Sequence, residues 1–152
     1  MKTLIVYYSR SNITKKVAQY IADKLGCDIE EIKPKVNYGG KIGYARGIKD
    51  AIAAKNVDLE ELNYDASEYD EIIFGVPVWA SKAANPLISY IQQNQDKIND
   101  YKLFITAGSN GFESTTQQVS EYVGKDPLKT AFIRTIDVKN DTFTDTIDEF
   151  IQ

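Results

Sequence analysis

The chain has 152 residues, one cysteine, no histidine and a formal net charge of −4. Those figures exclude a Ser-His-Asp triad, a Cys-His pair, a histidine metal site and an imidazole acid or base, together with any internal disulfide or CxxC redox motif. The length suits one domain with a full core, and an acidic chain without a concentrated basic stripe argues against nucleic acid as a partner.

The first apolar run, Thr3 to Tyr8, is rich in β-branched and aromatic residues and predicts a strand. It stops in SRSNIT, Ser9 to Thr14, which leads into a helical period of Val17, Ile21 and Leu25. Hydroxyls at Ser9, Ser11 and Thr14 stand beside the unpaired N–H groups and favourable dipole of a helix start, with Asn12 suited to a left-handed turn. The stretch reads equally as an anion seat and as an ordinary N-cap loop, and Arg10 either adds attraction or points into solvent. It is neither a GxxxxGK[ST] P-loop nor a GxGxxG turn.

Cys27 lies in LGCDIEE, between that helix and a weaker strand at Asp28 to Ile32, and reads as a small buried apolar residue. The sixth residue after it is Lys33, so no Cys-x5-Arg phosphatase loop is present. The irregular segment Pro34 to Gly47, PKVNYGGKIGYARG, carries four glycines and two tyrosines and runs into a helical period at Tyr44, Ile48 and Ile52.

A third strand, Ile72 to Val76, is followed by the loop GVPVWASKAANP, Gly75 to Pro86, which holds the chain's only tryptophan. Trp79 there either stacks on a planar heterocycle or serves as a core aromatic, and Lys82 either approaches a ligand or is solvated. Asn85 and Pro86 mark the start of a helix bearing Leu87, Tyr90 and Ile91. A fourth strand, Leu103 to Thr106, opens into the glycine-containing TAGSNGFEST, with Ser114 as cap for a helix bearing Thr116, Val119 and Val123. The fifth strand, Ala131 to Ile136, precedes Asn140 or Asp141 as cap for a last helix with Phe143, Ile147 and Ile151.

Strands apolar on both faces, alternating with helices, predict an α/β fold: a three-layer, doubly wound, five-stranded parallel sheet of order 2-1-3-4-5 with right-handed crossovers. No composition shift or repeat divides the chain, so residues 1–152 read as a single domain. Ligands bind at the carboxyl ends of such strands, where the order reverses between the first and third. The runs LIVYY and IIFGVPVWA are too short to cross a bilayer and no secretory or transit signal is visible. A soluble cytoplasmic protein with no membrane partner is expected.

This order of features resembles the flavodoxin family, and in particular its short-chain, FMN-binding members. Ser9-Arg10-Ser11-Asn12-Ile13-Thr14 matches the family's [ST]-x-[ST]-G-x-T phosphate loop except that Asn12 stands for the glycine. PVW at Pro77 to Trp79 and TAGSNG at Thr106 to Gly111 extend the likeness over nearly the whole chain. The resemblance implies FMN as cofactor, with Ser9, Arg10, Ser11, Asn12, Ile13 and Thr14 at its phosphate. It implies Pro77, Val78, Trp79, Ala80, Ser81 and Lys82 against the isoalloxazine, and Ala107, Gly108, Ser109, Asn110 and Gly111 at the pyrimidine edge. Trp79 is then the aromatic neighbour of the flavin, and Tyr38 and Tyr44, leaving the same sheet edge, border it.

The function so implied is electron transfer by bound FMN between redox partner proteins, a reductase and an acceptor, from a monomer or weak dimer. No catalytic side chain and no metal are required, which suits a chain without histidine. An acidic surface would oppose charge on a reduced flavin, roughly 1.4 kcal/mol shifting a one-electron potential by about 59 mV, and would steer a basic partner. The alternative is an FMN-dependent NAD(P)H:quinone-type oxidoreductase, with the 34–47 segment shaping a substrate pocket. A response-regulator receiver is disfavoured, because Ser9 and Val76-Pro77 stand where its acidic residues and phosphoacceptor Asp belong.

Overall fold

The computed structural model describes residues 1–152. The elements run β1 (Thr3–Tyr7), α1 (Ile13–Leu25), β2 (Asp28–Glu31), α2 (Gly40–Ile52), β3 (Glu71–Trp79), β4 (Lys82–Ala83), α3 (Asn85–Asn94), β5 (Asp100–Ala107), α4 (Phe112–Val123), β6 (Thr130–Arg134), α5 (Thr135–Lys139) and α6 (Thr144–Phe150). Five strands are parallel in the order β2-β1-β3-β5-β6, which is the expected 2-1-3-4-5 once the two-residue β4, antiparallel to β3, is set aside.

Period-two alternation decides which face each strand residue covers. Leu4, Val6, Ile72, Phe74, Leu103 and Ile105 enter one core with Leu87, Ile88 and Val119 from α3 and α4. Ile5, Tyr7, Ile73 and Phe104 enter a second core with Val17 and Ile21 from α1 and Ile147 and Phe150 from α6. Each fully buried aliphatic side chain contributes about 1.5–3 kcal/mol, so both faces hold helices firmly. Cys27 sits half-buried at the edge of the second core, and desolvation raises its thiol pKa.

Five boundaries differ from the sequence reading. The stretch read as a loop from Gly75 is largely strand: β3 runs to Trp79, turns through Ala80 and Ser81 at φ 52 and 64, and returns as β4. β6 ends at Arg134 because its only partner, β5, ends opposite at Ala107, and Thr135 then begins a short helix. Asn85 lies inside α3 rather than capping it, Ala84 taking the cap position. Ser114 likewise lies in the first turn of α4, capped by Gly111; Asn140 ends α5, and α6 starts only after Phe143.

The largest difference concerns α2, which begins at Gly40, inside the segment read as irregular. Its buried positions are Gly43, Gly47, Asp50 and Ala51, while the expected apolar face is turned outward, Tyr44 being 44% and Ile52 59% exposed. Close approach selects the glycines. A Cβ on Gly43 would lie 2.4 Å from the Tyr38 carbonyl carbon, and one on Gly47 2.8 Å from the Trp79 ring. Gly43→Ala is expected to lower unfolding free energy by about 1–3 kcal/mol through overpacking, although alanine exceeds glycine in helix propensity by about 1 kcal/mol. Urea denaturation measures the difference, and a stabilised variant would show that α2 does not pack this closely.

Candidate functional site

Parallel register brings three chain ends to one edge. Tyr7 pairs with Gly75 and Pro77 with Thr106, so the loops leaving β1, β3 and β5 emerge side by side where the strand order reverses. Between them lies a cavity of about 220 Å³, lined by Ser9, Arg10, Ser11, Ile13, Thr14, Tyr44, Pro77, Val78, Trp79, Thr106, Ala107, Gly108 and Thr135. The lining carries one cation and no carboxylate. A larger cavity of about 820 Å³ runs along β2, among charged side chains of both signs such as Lys15, Glu31, Lys33 and Glu60. It lies on the β2 side of β1 and takes no residue from the loops leaving β3 and β5, so its size does not make it the site.

The β1–α1 loop is built to leave backbone donors free. Asn12 takes the left-handed conformation at φ 67 and ψ 6, as expected of it, and its side chain makes no capping bond. The Ser9 hydroxyl accepts from the Lys15 N–H at 3.1 Å. The N–H groups of Arg10, Ser11, Asn12, Ile13 and Thr14 donate to no protein acceptor. Successive free amides around a left-handed turn, at a helix start, form an anion-binding concavity. Thr14 points down instead of out: its Oγ1 shares a buried 2.8 Å hydrogen bond with the Thr106 hydroxyl, tying α1 to β5 beneath the cavity.

Arg10, the one cation of the lining, is turned aside from that concavity. Its Nε donates to the Tyr38 carbonyl and its Nη2 to the Gly40 carbonyl, each at 2.9 Å, and its guanidinium lies 4.8 Å from the centre of the Tyr44 ring. The two hydrogen bonds clasp the first loop to the start of α2 and hold Tyr44 at the cavity wall.

Trp79 is only 4% exposed. Tyr8 and Tyr38 meet it edge-on at 5.4 and 5.3 Å, so the indole forms a packed wall of the cavity while serving as a core aromatic. Tyr38 donates to the buried Asp50 carboxylate at 2.6 Å and accepts from Asn85 Nδ2 at 3.1 Å. Burial, reinforced by the Asp50 hydrogen bond, pushes the Tyr38 phenol up to about 12. Desolvation likewise raises Tyr8. Both phenols therefore stay neutral at ordinary pH and act as fixed dipoles.

The β5–α4 loop divides its residues between two cavities. Ala107 and Gly108 line the first, whereas Ser109, Asn110 and Gly111 line a neighbouring one of about 430 Å³ with Phe112, Glu113, Ser114 and Phe132. Gly111, at φ 88, also sits where a Cβ would strike Val78 Cγ1 at 2.6 Å, so the loop requires glycine there twice over. A Cβ on Gly108 would meet nothing within 4 Å.

Of the residues expected at the site, Ser9, Arg10, Ser11, Ile13, Thr14, Pro77, Val78, Trp79, Ala107 and Gly108 share one cavity, with Asn12 shaping its turn. Ala80, Ser81 and Lys82 form the adjoining hairpin outside the lining, and Tyr38 supports the wall from behind. Sequence reasoning missed Thr106 and Thr135. Both hydroxyls stand at carboxyl ends of strands, but reading the last strand on to Ile136 concealed Thr135.

The flavodoxin family model matches residues 2–148. No curated protein matches the chain. Among solved structures, a flavoprotein from Lactobacillus acidophilus NCFM in complex with FMN is 23% identical, covering 94% of this chain and 98% of its own at a TM-score of 0.71. A protein from Bacteroides eggerthii DSM 20697 assigned as a flavoprotein is 15% identical over 99% of this chain and 98% of its own, with a TM-score of 0.76. Oxidised Flavodoxin 1 from Bacillus cereus is 16% identical over 97% and 98% of the two chains, with a TM-score of 0.55. At these identities the structures speak for the fold alone. With the family match spanning nearly every residue and the sheet order and loop positions in agreement, the chain belongs to the flavodoxin family.

Proposed function

We propose that this protein binds FMN and carries electrons between partner proteins. The observation that carries the proposal is the run of five free amides from Arg10 to Thr14 at the start of α1. Such donors suit a phosphate group, each hydrogen bond to a charged acceptor contributing about 1.5–3 kcal/mol. The positive end of the α1 dipole adds to the attraction. No basic side chain is needed, since Arg10 is committed to the Tyr38 and Gly40 carbonyls.

The remaining lining fits the rest of the cofactor. Pro77, Val78 and Trp79 form an apolar wall, Tyr44 supplies a half-exposed aromatic ring, and Gly108 leaves open space for a flat group. FMN, when bound, takes up and releases the electrons. The chain's residues bind and orient it and exclude water from one side. The lining holds no carboxylate, lysine, cysteine or histidine, so the chemistry rests with the cofactor. A carrier needs no such group, and a reductase and an acceptor would complete the circuit. No helix is long and apolar enough to cross a membrane.

Absorbance titration of the purified protein with FMN tests the proposal: saturable binding with a perturbed flavin spectrum is expected, and no binding would refute it. Turnover of NADH or NADPH with a quinone, without a reductase, is expected to be negligible; appreciable rates would favour an independent oxidoreductase. The turn makes a sharper demand. Asn12→Gly removes a side chain that makes no capping bond, so FMN affinity should change by no more than about twofold, a few tenths of a kcal/mol. Asn12→Val forces a β-branched residue into left-handed backbone at about 1–2 kcal/mol, a factor of roughly 5–30. Isothermal titration should show that loss for FMN and much less of it for riboflavin, which lacks the phosphate. A large loss in Asn12→Gly would show instead that the Asn12 side chain contacts the ligand.

A further inference from the structure

The charge of this chain is unevenly distributed. Residues 33–55 contain six cations, Lys33, Lys35, Lys41, Arg46, Lys49 and Lys55, and one carboxylate, Asp50, leaving that segment at +5 and the remainder at −9. All six cations are exposed, while Asp50 is buried and held by the Tyr38 hydroxyl. Six salt bridges occur in the protein, between Lys15 and Glu31, Lys16 and Asp141, Lys24 and Asp148, Lys102 and Glu71, Lys125 and Asp100, and Arg134 and Asp137. None involves a cation of residues 33–55.

The helical repeat gathers this charge on one face. With Gly43, Gly47, Asp50 and Ala51 turned inward, Lys41, Ile42, Ala45, Arg46, Lys49 and Ile52 turn outward. Ile42 is 80% exposed, so two isoleucines stand among three unpaired cations. The same helix carries Tyr44 into the wall of the cofactor cavity. On the β2 side, Lys33 and Lys35 have Glu31, Asp58 and Glu60 for neighbours, which leaves the unbalanced charge on α2 and on Lys55 just beyond its end.

We propose that the outward face of α2 docks an acidic protein surface, with Ile42 and Ile52 as apolar anchors and Lys41, Arg46 and Lys49 steering the approach. The partner's role as electron donor or acceptor rests on the carrier function proposed above. Charge complementarity selects this occupant: a carboxylate-rich surface meets unpaired cations here and repulsion over the rest of the acidic molecule, so α2 fixes its orientation. Exposed isoleucines at the two ends of a basic helix face suit a protein interface better than a phosphate backbone. A site wall carried on the docking helix sets the partner beside the cofactor cavity. This reverses the polarity expected from net charge alone, which predicts a basic partner.

Two measurements test the inference. In the first, isotope-labelled apoprotein is titrated with a helical peptide of glutamate and leucine while backbone amide resonances are followed. Shifts are expected at Lys41, Ile42, Arg46, Lys49 and Ile52, weakening with salt and absent in Lys41→Glu/Lys49→Glu; Arg46 stays because its Nη1 donates to Asn37 O. Shifts scattered over Lys15, Lys16 and Lys24, or none at α2, would overturn it, as would tighter binding there of phosphatidylglycerol vesicles or duplex DNA. In the second, FMN-loaded and reduced protein is mixed with ferricyanide, each ferricyanide taking one electron to become ferrocyanide. The rate should fall as ionic strength rises despite the net negative charge, and the double variant should react about tenfold more slowly at low salt. A wild-type rate that rises with ionic strength would overturn the proposal. Absence of FMN binding would refute the carrier function and the partner's redox role, while the peptide titration would still decide whether α2 docks acidic proteins.

Discussion

Five backbone N–H groups without a protein acceptor, gathered at the turn between β1 and α1, are the feature on which the architecture of the site depends. Left free, such donors are costly unless water or a ligand meets them, so a fold that exposes them together has a place for an anion. Asn12 makes the turn possible by accepting a left-handed backbone, and Thr14 anchors it from below through the buried bond to Thr106. The donors belong to the main chain, so the anion seat needs no lysine.

A second layer of organisation surrounds that turn. Trp79 is packed between Tyr8, Tyr38 and the glycine face of α2, and Tyr38 in turn is fixed by Asp50 and Asn85. Arg10 spans from the anion loop to the carbonyls at the start of α2. Together these contacts make α2 part of the site instead of a mere cover for the sheet. They also leave its outer face, with Ile42 and three unpaired cations, directed away from the core and beside the cavity. The acidity of the chain as a whole therefore does not describe the electrostatics of this edge.

The parallel order and the three loops were legible in the sequence because long apolar strands and helical periods alternate without ambiguity, and the strands' carboxyl ends follow from topology. The left-handed turn at Asn12 was legible for the same local reason. What stayed hidden depended on tertiary contacts. Tyr44, Ile48 and Ile52 have the spacing of a buried stripe, yet Trp79 and the Tyr38 backbone come so close that only Gly43, Gly47, Asp50 and Ala51 can face inward. Asn85 before Pro86 has the form of a cap, but its amide is drawn into the core by Tyr38 and the Lys55 carbonyl. Trp79 at a strand end reads either as a stacking ring or as a core aromatic, and the neighbours that decide for a buried ring come from distant parts of the chain.

The proposed FMN site stands on main-chain amides of the β1–α1 turn meeting the phosphate. Amide resonances of isotope-labelled protein, compared without ligand, with FMN and with riboflavin, test it most directly. Large downfield shifts and slowed hydrogen exchange are expected at Arg10 to Thr14 with FMN, and far smaller changes there with riboflavin. Equal responses to both ligands, or an unresponsive turn while other loops shift, would contradict it.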